Sequence, residues 1–273
     1  MTDNYAVIGN PIAHSKSPRI HAAFASETQQ DIHYDKLLVE QGQLAKAIAN
    51  FRTQGGKGLN ITVPFKNDAF DLADSLTERA KLAGAVNTLV LNADGSLHAD
   101  NTDGIGLVRD LTINHQFNLK GARILLLGAG GAVQGVLLPL LQQQPSEIVI
   151  ANRTVSKAET LCEKFAAYGN LSASSFEDLN AHTFDGIING TAASLQGEVP
   201  PLPNNILNEG AWCYDMMYSN EPTAFVQWGA KHGADQSVDG LGMLVEQAAE
   251  SFALWRDVKP NTSAVIQLLR ESA

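Results

Sequence analysis

Between Ile124 and Leu141 the chain runs eighteen residues without a charge, ILLLGAGGAVQGVLLPLL. That is close to the length a bilayer span needs, but four glycines and a proline interrupt it. The glycines gather in Gly128-Ala129-Gly130-Gly131-Ala132, after the apolar ILLL and before a helical run from Val133 to Leu141. A strand, a tight turn and a helix account for every residue; a membrane helix accounts only for the hydropathy. The segment predicts one βα unit of a soluble α/β protein.

The rest of the chain repeats that alternation. Strands are expected at Tyr5–Gly9, His33–Val39, Gly58–Val63 and Asn87–Leu91, with helices near Pro18–Ser26, Gln43–Gln54 and Phe65–Asp74 between them. Asn92-Ala93-Asp94-Gly95 has turn chemistry and should lead a hairpin into Ser96–Ala99. A second series follows, Arg123–Leu127, Glu147–Ala151, Asp185–Asn189 and Ala211–Asp215, and is read as complete there. Leu241, Leu244, Val245, Ala248, Phe252 and Trp255 then recur at helical spacing, and a last helix is expected from about Thr262 to Arg270. These C-terminal helices are expected to return to the first domain. The expected architecture is α/β and two-domain: a discontinuous N-terminal substrate domain (1–104 and 238–273), a Rossmann-like domain (105–237), and a cleft between them.

Composition narrows the partners. With 29 acidic and 19 basic residues the net charge is −10, which argues against nucleic acid or an anionic membrane surface. Cys162 and Cys213, 51 residues apart, have no metal-ligand spacing, so two reduced thiols and no metal are expected. Met1 to Tyr5 reads MTDNY, with no basic-then-apolar leader, and a cytoplasmic protein is expected.

The glycine-rich turn permits backbone amides to approach a pyrophosphate at a helix N-terminus. Close helix–strand packing alone also calls for such glycines, but the place between a buried strand and a helix favours dinucleotide binding. Val133 occupies the sixth position, so the motif is GxGGA and not GxGxxG. The next strand ends Ile150-Ala151-Asn152-Arg153-Thr154, followed by Lys157, with no carboxylate at its tip. An acid there would bind a ribose diol; a guanidinium and an ammonium suit a 2′-phosphate. Arg153 and Lys157 are also what a solvated surface pair would look like. Taken with the turn, they favour NADP over NAD.

Polar residues gather at the ends of the first-domain strands. Ser15 and Ser17 straddle Lys16 before a helix that Pro18 opens, and Ser17 is expected to cap that helix. Thr62 and Lys66 follow a second strand, and Asn87-Thr88 and Asp100-Asn101-Thr102-Asp103-Gly104 stand at two more. This pattern suggests a small polyhydroxylated ligand with an anionic group.

Together these segments resemble shikimate dehydrogenase, the family that reduces 3-dehydroshikimate with NADPH in aromatic amino-acid biosynthesis. The matching pieces are NPIAHSKSP (10–18), NITVPFK (60–66), GAVNT (84–88), NTDG (101–104), GAGGA (128–132), NRT with Lys157, YDMMY (214–218) and DGLGMLVEQAA (239–249). Val133-Gln134 depart from the Ser-Arg found after GAGGA in many members. The resemblance implies that Ser15, Ser17 and Tyr218 hold the substrate carboxylate. It implies that Thr62, Lys66, Asn87, Asp103 and Gln247 surround the ring hydroxyls and the reacting carbonyl. Lys66 would be the acid–base residue, paired with Asp103. Gly128, Ala129, Gly130, Gly131 and Ala132 would carry the cofactor pyrophosphate, and Asn152, Arg153, Thr154 and Lys157 the ribose phosphate. Met216 and Gly240 would line the nicotinamide, with Glu78 near the cofactor. Gln247 also has a reading of its own: it flanks the apolar stripe of its helix and so could face a cleft. The partner is a small molecule, and monomer and homodimer both fit. A quinate/shikimate dehydrogenase of broader substrate and cofactor use, or a non-catalytic NADP sensor, are the alternatives. A methylene-tetrahydrofolate dehydrogenase-like enzyme shares the two-domain plan but leaves the SKS hydroxyl pair without a role.

Overall fold

A computed structural model describes residues 2–271. Its contacts divide the chain into two units, residues up to Gly106 with Leu244–Glu271, and Leu107–Met243.

In the first unit, β1 (Asp3–Gly9) is buried from Tyr5 to Gly9. A strand covered on both faces carries such an unbroken apolar run. α1 (Ser17–Thr28) and α2 (Leu44–Thr53) are the crossovers that let β2 (Ile32–Leu38) and β3 (Gly56–Ile61) pair with β1 in parallel. After α3 (Lys66–Leu72), β4 (Ser75–Leu76) and α4 (Glu78–Ala83) come β5 (Thr88–Leu91) and β6 (Leu97–Asp100), an antiparallel hairpin. The hairpin closes at Gly95, whose φ of 93° an L side chain rarely adopts; the Asn92 amide donates to Ser96 O, and the Gly95 amide to Asn92 O. The sheet order is β2-β1-β3-β5-β6-β4. Ile8, Leu59, Ile61, Phe65, Val86 and Leu89 form the core on one face.

α5 (Asp103–Arg109) runs on into a π-helical turn at Asp110–Asn114. The second unit then builds β7 (Arg123–Leu127), α6 (Gly131–Leu141), β8 (Glu147–Ala151), α7 (Val155–Phe165) and β9 (Leu171–Ser174). It continues with β10 (Phe184–Asn189), β11 (Leu207–Asp215), α8 (Ala224–Lys231) and β12 (Gln236–Asp239). All six strands are parallel in the order β12-β11-β10-β7-β8-β9. This is the doubly wound arrangement, and its order reverses between β7 and β10, where ligands bind at the strand C-termini.

α9 (Leu241–Arg256) and α10 (Ser263–Glu271) follow, and from Leu244 onward they belong to the first unit. Trp255 stacks on Tyr5 with ring centroids 4.7 Å apart and donates its indole N–H to Leu89 O.

Several expectations need correction. The second strand series has six members, not four: β9 and β12 were missed. Both are four-residue edge strands, LSAS and QSVD, and edge strands need no continuous apolar run. The two-residue β4 and the six-residue α4 also escaped, being too short for a period to register. Ser17 is not a cap. Lys16 holds the cap position without a side-chain bond, and Ser17 is the first helical residue, its amide donating to Ser15 Oγ. Among the described residues no helix is long and apolar enough to cross a membrane.

Candidate active site

Lys66 opens α3 immediately after Phe65, which is fully buried and fixes where that turn begins. Its Nζ lies 2.5 Å from Asp103 Oδ2. Asp103 opens α5 after a loop that is itself tied down. Its amide donates to Asn101 Oδ1, and Asn101 Nδ2 donates to Ala85 O.

Asn87 organises what surrounds the pair. Its side-chain amide donates to Asp103 Oδ1 at 2.8 Å, Thr102 Oγ1 at 2.9 Å and Gln247 Oε1 at 3.1 Å. Its Oδ1 accepts from the Thr102 amide and the Thr88 hydroxyl. Asn87 and Thr102 are buried, so every bond left unmade here would cost on the order of 1–3 kcal/mol. Gln247, on α9, turns to this cluster, with its Nε2 on Leu244 O. Ser15 and Ser17 stand at the end of β1, their hydroxyls 3.2 Å apart. Thr62 follows β3, its amide on Ile8 O. The first unit thus joins Lys66, Asp103, Asn87 and Gln247 by direct bonds and sets Ser15, Ser17 and Thr62 at the C-terminal ends of β1 and β3.

Ser251 and Arg79 are not singled out from sequence, and Thr102 only as part of a polar strand end. Thr102 and Ser251 hold Asn87 and Thr88 in place, Ser251 sharing a 2.7 Å bond with the Thr88 hydroxyl. Arg79 grips Asp100 through Nε at 2.8 Å and Nη2 at 2.5 Å, just ahead of the Asn101–Asp103 loop. Burial would lift the Asp100 carboxyl, but Arg79, the Thr77 hydroxyl and the Asn101 amide outweigh it and hold its pKa below the usual value. Asp100 lies inside a motif already visible as a polar strand end; Ser251 had no such signal.

In the second unit Gly128 takes φ 102° at the end of β7, a conformation that favours glycine. Gly130 and Gly131 start α6, and nothing lies within 4 Å of where a side chain on either would begin. With Ala129 and Ala132 on either side, this turn leaves room and unpaired helix-start amides for a pyrophosphate. Val133 is fully buried, its Cγ2 directed at Gly190, so the departure from Ser serves packing and adds no polar donor to the turn. Asn152, at the end of β8, bonds Thr154 O and leaves Arg153, Thr154 and Lys157 exposed around a tip that carries no acid. A phosphorylated adenosine ribose fits that donor set.

Met216 and Gly240 meet at the ends of β11 and β12: a Cβ on Gly240 would stand 2.5 Å from Met216 O. Tyr218 lies two residues beyond Met216 in the same unit, half-buried, its phenol pKa raised by burial and by the Asp239 charge. Glu78 opens α4 in the first unit. Among the described residues no group of three His, Cys, Asp or Glu side chains could hold a metal ion.

The chain also matches known proteins along its length. The shikimate dehydrogenase substrate binding domain matches residues 7–89, the shikimate/quinate 5-dehydrogenase domain residues 111–196, and the shikimate 5′-dehydrogenase C-terminal domain residues 240–270. The shikimate dehydrogenase (NADP(+)) of Cellvibrio japonicus is 58% identical over 270 residues, covering 99% of this chain and 98% of the relative. The Ael1 enzyme of Pseudomonas putida superposes with a TM-score of 0.93 at 46% identity, with 98% of each chain covered. Shikimate 5-dehydrogenase from Thermus thermophilus, solved with NADP(H) and shikimate, gives 0.88 at 28% identity, with 100% of each covered. A hydroxyl pair, an Asn-held lysine–carboxylate contact and an acid-free GxGGA unit therefore occur here in a chain that matches these proteins from end to end, and the chain belongs to the shikimate dehydrogenase (NADP(+)) family.

Proposed function

We propose that Lys66, held by Asp103, passes the proton in the family's reaction, the NADP-dependent interconversion of 3-dehydroshikimate and shikimate. The observation that carries this reading is the 2.5 Å contact between Lys66 Nζ and Asp103 Oδ2, with Asn87 and Gln247 bonded into the same cluster. As an ammonium, Lys66 stabilises the negative charge that grows on the substrate oxygen and then gives it a proton. Asp103 aims that ammonium. In the reverse direction Lys66 takes the proton of the shikimate hydroxyl. Ser15, Ser17 and Tyr218 supply hydroxyl donors to the substrate carboxylate; Thr62, Asn87 and Gln247 take the ring hydroxyls.

The cofactor supplies the hydride. Gly128 to Ala132 receive its pyrophosphate, and Asn152, Arg153, Thr154 and Lys157 its ribose phosphate. Met216 and Gly240 are assigned to its nicotinamide, and Glu78 to the cofactor as well. We place the reaction in the cytoplasm, in keeping with two unpaired cysteines, and read the enzyme as a monomer or homodimer.

Nicotinamide absorbance with purified protein tests the reading, with NADP and NAD run in parallel on shikimate and quinate. Fast NADP reduction with shikimate and little with quinate is expected. Equal rates with NAD or quinate would give the chain the broader quinate/shikimate specificity. NADP binding without any turnover would leave a sensor in place of an enzyme.

A further inference from the structure

Asp215 ends β11 and is fully buried. Its Oδ2 accepts from Ser194 Oγ at 2.5 Å and Thr223 Oγ1 at 2.6 Å. Its Oδ1 accepts from Asn189 Nδ2 and the Met217 amide, both at 3.1 Å. All four partners are uncharged. Burial pulls the carboxyl pKa up and the four donors pull it back, leaving it above the usual value. Across the parallel ladder Asp215 pairs with Asp239, a second buried carboxylate, whose Oδ1 accepts from the Leu241 amide.

A carboxylate taken out of water without a cation is costly, and hydrogen bonds from neutral groups offset only part of that cost. A cation arriving beside such a group is therefore held more tightly than its neutral counterpart. The residue that follows β11 is Met216, which with Gly240 is assigned to the nicotinamide in the function proposed above, and this inference rests on that reading. A nicotinamide ring is neutral when reduced and positively charged when oxidised. We propose that Asp215 is the buried counter-charge of the oxidised ring, so that this unit binds NADP+ in preference to NADPH to an extent set by the Asp215 charge. In the reducing direction hydride leaves the ring with both electrons for the carbonyl carbon, while Lys66 delivers a proton to the oxygen. The carboxylate stabilises the positive charge that hydride transfer leaves behind.

Asp215→Asn removes the charge and keeps the shape. Ser194 and Thr223 each retain a hydroxyl that can rotate to accept from the new amide, so the four contacts need not be lost. Dissociation constants for NADP+, NADPH and adenosine 2′,5′-bisphosphate, measured by fluorescence and calorimetry without substrate, give the test. The variant should bind NADP+ about tenfold more weakly and NADPH within about twofold of wild type, a charge effect of ~1.4 kcal/mol. Adenosine 2′,5′-bisphosphate should bind equally to both. Asp215→Ser, which also removes the charge, stands in if the amide does not fold. Asp215→Glu, which keeps it, should retain the NADP+:NADPH ratio even if both bind more weakly. An equal loss for NADP+ and NADPH in the charge-free variants, or no loss, overturns the proposal. Failure of the wild-type chain to bind adenosine 2′,5′-bisphosphate would instead overturn the cofactor reading itself.

Discussion

The amide of Asn87 donates to Gln247 Oε1 at 3.1 Å, tying together two residues that lie 160 positions apart in the chain. The same amide holds Asp103, so one side chain sets both the partner of Lys66 and a group on α9. Asn87→Ala should lower kcat/KM for shikimate by about ten- to a hundredfold, the kinetic equivalent of losing buried bonds worth ~1–3 kcal/mol. Gln247→Ala should show the smaller effect, mainly in KM. Steady-state kinetics on both variants check this order; a larger loss in Gln247→Ala would contradict it.

Lys66→Ala should reduce kcat by about a thousandfold, within the range of general acid–base catalysis. Shikimate affinity and melting temperature should change little, because Lys66 is partly exposed and enters a single ion pair among the described residues. Calorimetric titration of shikimate into the variant is the check. Normal turnover with lost binding would remove Lys66 from the chemistry.

Arg153→Ala should raise KM for NADP roughly tenfold or more, since charge-assisted bonds to a phosphate are worth ~1.5–3 kcal/mol. Activity with NAD should be untouched, and the NADP/NAD preference should narrow. If NADP and NAD suffer alike, Arg153 is only a surface cation.

Asp100 gives a pH dependence whose sign is fixed. Burial alone would raise its pKa, but Arg79 and the other donors bring it below the usual carboxylate value. Its folded pKa is therefore lower than its unfolded one, near ~3.9. The stabilisation is full above the unfolded value and is lost as pH falls through the folded one. Arg79→Met, which leaves the buried carboxylate unpaired, should cost about 3–5 kcal/mol at pH 7. The gap to wild type should shrink as pH falls below the unfolded value and Asp100 takes up its proton. Urea unfolding at a series of pH values measures it, and a gap independent of pH would refute the assignment.

How much of this was legible in the sequence depended on periodicity and on neighbours along the chain. β7 and β8 are where their apolar runs put them, residue for residue, because both lie inside the sheet and must be apolar on both faces. β12 could not be seen, since Gln236-Ser237-Val238-Asp239 borders the sheet on one side only. Lys66 and Asp103 came to notice through motifs that the resemblance joined; nothing in the spacing of residues 37 apart predicts a 2.5 Å contact. Thr102 and Ser251 were invisible as partners for the same reason: a hydroxyl carries no sign of which distant strand end it will meet. Ser17 was misread because a serine before proline looks like a cap, whereas the helix begins one residue earlier.

The division of the chain has a consequence for synthesis. Residues 107–243 form one uninterrupted unit, whereas the other unit is begun by the first 106 residues and completed only from Leu244. Trp255, Ser251 and Gln247 all reach it from α9. A ribosome therefore emits the whole six-stranded parallel sheet of the second unit before it has made the helix that supplies those three residues to the first. Any chain that stops short of α9 lacks the residues that hold Asn87 and Thr88 in register. A nascent chain holds all of residues 107–243 well before it holds the helix that brings Gln247 and Ser251 to Asn87 and Thr88.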